Sequence, residues 1–280
     1  MRVAEAKLKS DLVVLNNDRN YSEVVSLLES LAIPRNGVLL VHSSFKDLSR
    51  ARFRAEVVLA ALVEYMAPGT LLMPTMSWRA VTPANPVFDE LATPSITGAL
   101  TELFRTHYAT RRSLHPTHSV AGLGRLTDDM LAFHHLDEMP CSDRSPWGLL
   151  DDHDAHVLLL GVEMDSCTLV HHVEQAVAPE LYLRPPETRE RYICRDRHGC
   201  EIEMYTRRTS RLFRDYWQFE EMLEVEGKVR LCTIANTLCC GFAAKDMVRV
   251  ISGRLRQQPD AIIAQPGERG KIMYWQPWRA

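Results

Sequence analysis

The chain has 280 residues, 46% of them hydrophobic and 25% charged, and its 33 basic and 36 acidic side chains leave a formal net charge of -3. So even a balance excludes a nucleic-acid groove driven by bulk charge, so no nucleic-acid partner is expected. No uncharged apolar run reaches the roughly 18 residues of a transmembrane helix, so no membrane partner is expected either.

Met1 to Asp11 alternates charged and apolar residues without the continuous apolar core of a signal peptide, which makes the cytoplasm the expected compartment. Tyr21 to Leu31 reads as a helix with Ser22 at its N-cap and an apolar stripe of Val24, Leu28 and Leu31. Pro34 and Gly37 break the chain before a predicted strand at Val38 to Val41, which runs into His42-Ser43-Ser44. Ala55 to Met66 is a second helix, Pro68-Gly69 ends it, and Thr70 to Met73 is the next strand. Gly98 to Tyr108 and Leu126 to Leu136 are predicted helices, and Val157 to Leu160 is a third strand. Arg191 to Tyr205 reads as a hairpin turning at Asp196 to Gly199. Thr209 to Glu226 has a helical pattern, Lys228 to Ile234 reads as a strand, and Ala244 to Arg256 as a helix with Met247, Ile251 and Leu255 in line. Pro259 to Ala280 is expected to be irregular and packed on the surface. The alternation predicts an α/β fold: a single domain over residues 1–280, with a central mixed sheet flanked by helices and a C-terminal hairpin elaboration.

Seven cysteines without paired metal-type spacing, in a chain without a secretion signal, are expected to be reduced and mostly buried. No metal is expected. Cys167 stands apart because it falls in a polar turn between the strand ending at Leu160 and a predicted helix. That helix carries His171 and Glu174, three apart and so on one face near its start. A histidine oriented by a carboxylate at such a junction suits a general base, although the same spacing also serves a plain ion pair.

Several blocks occur in a fixed order: His42-Ser43-Ser44, the turn and helix from Thr93 to Arg105, Arg112-Ser-Leu-His115-Pro-Thr-His-Ser119, Ser145-Pro146, and Leu158 to Glu174. As a set, over about residues 22–180, they resemble the aminoglycoside 3-N-acetyltransferases, also called antibiotic N-acetyltransferases. The GNAT fold is not indicated, because Gly122-Leu-Gly124 lacks the Arg or Gln at the offset of a pyrophosphate loop. The resemblance implies acetyl transfer from acetyl-CoA, as co-substrate, to a primary amine of an aminoglycoside or related amino sugar.

By position in the motifs, the resemblance makes His171 the base, Glu174 its carboxylate partner, and Thr168 a donor to the thioester oxygen or a helix cap. It places Ser43, Ser44, Ile96, Thr97, Gly98, Phe104, Arg112, His115 and Ser119 on the coenzyme side. Arg111 is a second candidate for a phosphate contact. Coenzyme is expected across the carboxyl ends of the strands containing Val41 and Leu160, with Asp151 to Asp154 and the region after Arg184 as an acceptor wall. Cys167 stands where the family commonly has asparagine, and His172 is expected on the helix surface facing away from His171. The partner is a small-molecule amine; a homodimer is left open. Other readings stand beside this one: Cys167 as an acyl-accepting nucleophile with His171 as its base, a biosynthetic acetyltransferase with a non-aminoglycoside acceptor, a zinc site using His171 and His172, and a non-catalytic binding protein. Adjacent helix positions point about 100° apart, which disfavours the zinc site.

Overall fold

The computed structural model describes residues 18–264. In chain order it runs α1 (Arg19–Ser30), β1 (Val38–Ser43), α2 (Lys46–Arg50), α3 (Ala55–Tyr65), β2 (Thr70–Pro74), β3 (Val87–Asp89), α4 (Ala99–His107), β4 (Arg111–Arg112), β5 (Val120–Gly124) and α5 (Thr127–Leu131). It continues through α6 (Leu149–Asp152), β6 (His156–Leu160), α7 (Leu169–Val177), α8 (Pro179–Tyr182), β7 (Glu190–Arg195), β8 (Glu201–Thr206), α9 (Trp217–Val225), β9 (Val229–Ile234), β10 (Thr237–Ala243) and α10 (Ala244–Gln257).

A seven-stranded sheet has the order β4-β5-β2-β1-β6-β10-β9. Its centre, β2-β1-β6, is parallel, and both flanks are antiparallel, so the sheet is mixed as expected. The central strands are apolar at every second residue on each face because helices cover both sides. Val38, Leu40, Val157 and Leu159 enter one core, beneath α7, α9 and α10. Leu39, Val41, Leu158 and Leu160 enter the other, beneath α1, α3 and α4. Each of these leucines is fully or almost fully buried, which contributes about 1.5–3 kcal/mol apiece. A smaller sheet, β3-β7-β8, contains the expected hairpin and closes a core of Val81, Phe88, Tyr192, Cys194 and Met204.

Some boundaries differ from expectation. The first helix begins at Arg19, and Asp18 caps it by accepting from the Asn20 N–H at 2.8 Å, so Ser22 lies inside the helix. Leu126 to Leu136 is broken into α5 and a short 3-10 turn, His134–Leu136. The helix expected from Thr209 starts only at Trp217; residues 209–216 are instead irregular chain. Strand β10 was not anticipated beside β9. Met1 to Asp11 and most of the tail from Pro259 lie outside the described residues. Among the described residues no helix is long and apolar enough to cross a membrane.

Candidate active site

Strands β1 and β6 run in register, Ser43 opposite Leu160, so their carboxyl ends open at one edge of the sheet. Such edges are where ligands sit in open α/β sheets. The Ser44 N–H donates to the Leu160 carbonyl at 2.9 Å and ties the two turns together. Gly161 leaves β6 at φ +67, and a Cβ there would lie 2.8 Å from Thr237 Cγ2 and 3.0 Å from the Ser44 carbonyl oxygen. Only glycine fits this turn without strain. The chain then makes a 3-10 turn, Met164–Ser166, and enters α7.

Over this edge lies a cleft of about 1640 Å³. It exceeds the roughly 300–1,000 Å³ that holds one drug-sized ligand. Ser43, Ser44, Ile96, Thr97, Gly98, Thr168 and His171 all line it. Gly98, at φ +120, caps α4, whose first turn directs unpaired N–H groups outward. The Thr97 hydroxyl is engaged, donating to the Pro74 carbonyl at 2.5 Å. The Ser43 hydroxyl is buried without a partner. Thr168 precedes α7, but its side chain makes no cap hydrogen bond, which removes the capping alternative.

His171 and Glu174 meet as their spacing requires. His171 Nδ1 is 2.8 Å from Glu174 Oε2, and the other carboxylate oxygen accepts from Arg214 Nε at 2.6 Å. Glu174 is fully buried while the His171 side chain keeps 20% of its surface exposed. Burial opposes ionisation of Glu174, yet the charges and hydrogen bonds of His171 and Arg214 outweigh it and hold the carboxyl below its usual range. An ionised Glu174 accepts the Nδ1 proton, which leaves Nε2 with its lone pair. Tyr216 packs its ring edge against His171 at 6.2 Å.

Other expected site residues lie elsewhere. Phe104 is fully buried in the core beneath α4 and does not line the cleft. Arg112 is also buried, donating to Thr75 Oγ1 at 3.1 Å, the Thr75 carbonyl at 2.6 Å and Ser119 Oγ at 3.0 Å, so its guanidinium is committed to the backbone and not to a phosphate. Ser119 is its buried partner. Arg111 faces outward and pairs with Asp128 at 2.6 Å. His115 is buried one layer behind the cleft, its Nδ1 accepting from the Thr117 and His118 N–H groups at 3.2 and 3.0 Å. His172 does face away from His171, but into the interior, where Nδ1 donates to the Cys141 carbonyl at 2.9 Å. Cys167 is 1% exposed in the core, and burial pushes its thiol up to about 12, which removes it as a nucleophile. Asp151 to Asp154 precede β6 at the opposite end of the sheet, where Asp154 pairs with Lys245 at 2.7 Å, so they form no acceptor wall.

The cleft also holds residues the sequence reading passed over. His118 lines it, with Trp78 against its ring at 6.1 Å. Burial, reinforced by the charges of His171, His134 and Arg208, pushes His118 down to about 3, so it is neutral. Its place in the quoted Arg112-to-Ser119 block was visible, but which of that block's two histidines faced the cleft was not. His42 reaches the cleft from β1, stacked on Trp147 at 6.0 Å with its Nε2 unpartnered. Arg214 follows Glu174 by 40 residues, and no spacing rule connects them. The density of arginine from Arg207 to Arg214 was its one signal.

Residues 40–256 match the family model described as aminoglycoside 3-N-acetyltransferase. The chain belongs to this family. It is 29% identical over 259 residues to aminoglycoside N(3)-acetyltransferase IV of a Salmonella species, covering 89% of this chain and 92% of that one. It is 28% identical over 180 residues to the SPbeta prophage-derived aminoglycoside N(3')-acetyltransferase-like protein YokD of Bacillus subtilis (strain 168), covering 57% of this chain. That match spans just under two thirds, 66%, of the Bacillus protein's length. The crystal structure of YokD superposes with a TM-score of 0.73 at 22% identity, covering 87% of this chain and 95% of the other. A structure of AAC-IIIb in binary complex with CoASH gives 0.71 at 20% identity, covering 89% and 98%. These superpositions establish the antibiotic N-acetyltransferase fold for the family member described here.

Proposed function

We propose that the protein transfers the acetyl group of acetyl-CoA to a primary amine of a small amino sugar or related acceptor, with His171 as the general base. The observation that carries this reading is the buried Arg214–Glu174–His171 chain, which fixes Nδ1 as a donor and presents Nε2 at the cleft. Nε2 removes a proton from the acceptor nitrogen, whose lone pair attacks the thioester carbonyl. The C–N bond forms, the C–S bond breaks, and the thiolate leaves with the electron pair. Ionised Glu174 stabilises the imidazolium that results. In this reading the Thr168 hydroxyl, which lines the cleft and makes no helix-cap bond, donates to the developing oxyanion. The unpartnered Ser43 hydroxyl, the Ser44 turn and the first turn of α4 suit the polar arm and phosphates of the coenzyme. The cleft volume leaves room for both substrates together, which supports direct transfer.

The test is His171→Ala. Turnover should fall about 10²–10⁴-fold with coenzyme affinity nearly unchanged, and initial-rate plots of the wild type should intersect. If the variant keeps half of the activity across pH 6 to 9, His171 is not the base.

A further inference from the structure

The wall of the cleft opposite β1 is cationic. Arg184, Arg207, Arg208, Arg211 and Arg214 all line it, with Lys46 on the near side, and the facing carboxylates among the described residues are Asp165 and Glu190. Glu190 is already engaged, accepting from Arg208 Nε at 2.6 Å and from the Tyr192 hydroxyl at 2.5 Å. Arg214 Nη2 is buried without a partner, on a side chain that is only 7% exposed. No carboxylate among the described residues pairs with Arg184 or Arg211.

Arg208 and Arg214 tie this wall to the reacting end of the cleft, Arg208 through the effect of its charge on His118. Arg214 touches the carboxylate that orients His171. Thr206, next to Arg207, stands 3.3 Å from His115 Nε2, whose Nδ1 receives the His118 N–H. Coenzyme phosphates are separated from the thiol by the whole pantetheine arm, so phosphates cannot sit where the thioester meets His171. The positive charge around that point therefore falls to the acceptor. A cleft of one sign concentrates ligands of the opposite sign and repels its own. Guanidinium groups pair bidentately with carboxylates and phosphates.

Resting on the acetyltransferase reading, we propose that the acceptor is an amine that also carries an anionic group, a carboxylate or phosphate held by the Arg207–Arg214 wall, and not a polycationic aminoglycoside. The experiment compares glucosamine, glucosamine 6-phosphate, 6-amino-6-deoxygluconate and sisomicin as acceptors with acetyl-CoA, alongside coenzyme binding followed by thermal shift. At least one of the two anionic acceptors should exceed glucosamine in kcat/KM by tenfold or more, with sisomicin below glucosamine, and the advantage should shrink as salt rises. Which anion wins distinguishes phosphate from carboxylate. Arg211→Gln and Arg211→Glu, at an exposed position, should erode the preference stepwise. Both should leave coenzyme binding unchanged.

Equal rates for neutral and anionic acceptors, or a preference for sisomicin, with coenzyme binding intact, would overturn the anionic-acceptor proposal and leave the acetyltransferase reading standing. Loss of coenzyme affinity in the Arg211 variants would also overturn it, by assigning the arginines to the coenzyme. Absence of coenzyme binding by the wild type would overturn both.

Discussion

Glu174 is fully buried, and its two oxygens are shared between an imidazole and a guanidinium. Removing one member leaves a buried charge uncompensated. Arg214→Met should therefore destabilise the fold by about 3–5 kcal/mol in urea unfolding at pH 7. The pH dependence has a definite sign. Because the native carboxyl is held below its usual range, its contribution is present above the unfolded pKa of about 4.3 and is lost as pH falls through the native value. Without Arg214 that depression weakens, and the acid unfolding midpoint should move to higher pH; an unchanged midpoint would show that Arg214 does not support the carboxylate. At Cys167 the expectation is inertness. Iodoacetamide should label exposed Cys200 in the native protein and spare Cys167, and Cys167→Ser should remain active. An acetyl adduct trapped on Cys167 would reinstate the nucleophile reading.

At the scale of elements, the turn after β6 sets the site. Gly161→Ala meets both a left-handed backbone and close atoms, Thr237 Cγ2 and the Ser44 carbonyl oxygen. Gly199→Ala, at φ +83 in open space, meets only the backbone penalty, about 1–2 kcal/mol. Thermal unfolding of the two should show the larger loss for Gly161→Ala, and with it weaker coenzyme binding, since Ser44 must shift. Equal losses would mean that the turn relaxes freely. The elements legible in the sequence were those with a strong local cause. β1, β2 and β6 announced themselves because burial on both faces makes unbroken apolar runs. The β7–β8 hairpin carried Asp196 and Gly199 at its turn. β10 was hidden because the β9–β10 hairpin turns through Ala235 and Asn236, at φ 47 and 63, and alanine does not advertise a turn that needs positive φ. β3 and β4 are too short to show a period. In the site, His171 and Glu174 are one helix turn apart and so were readable, whereas Arg112, Phe104 and His115 differ from cleft residues only through tertiary burial, which their own neighbours in sequence do not encode.

Across the whole molecule, buried histidines set the acid limit. Burial pushes His42 and His118 down to about 3 and His134 to about 4. His115 is lowered as well, by burial and then by the charges of His134 and His118. The unfolded chain protonates these groups near 6.5, so it binds more protons than the native state below that pH. Stability should be full above about pH 6.5 and fall towards the native values near 3 to 4, each such group adding up to about 1.4 kcal/mol per pH unit to the slope. His134 is the group to test: burial holds it neutral against the opposing pull of the Pro140 carbonyl at 2.9 Å, and Ser113 Oγ at 2.8 Å helps fix its ring. His134→Gln should flatten the fall in melting temperature between pH 7 and 5. A parallel fall in both proteins would remove His134 from the account.

The 40-residue separation of Glu174 and Arg214 has a temporal meaning during synthesis. Glu174 leaves the ribosome well before Arg214, after the parallel centre of the large sheet is already complete. A nascent chain halted near Thr206 would hold His171 and Glu174, yet the carboxylate would lack the countercharge that helps it stay ionised when buried. Even after Arg214 emerges, β10 and α10, which pair with β6 and pack on α7, are still to come, so the ion chain forms before its cover is complete.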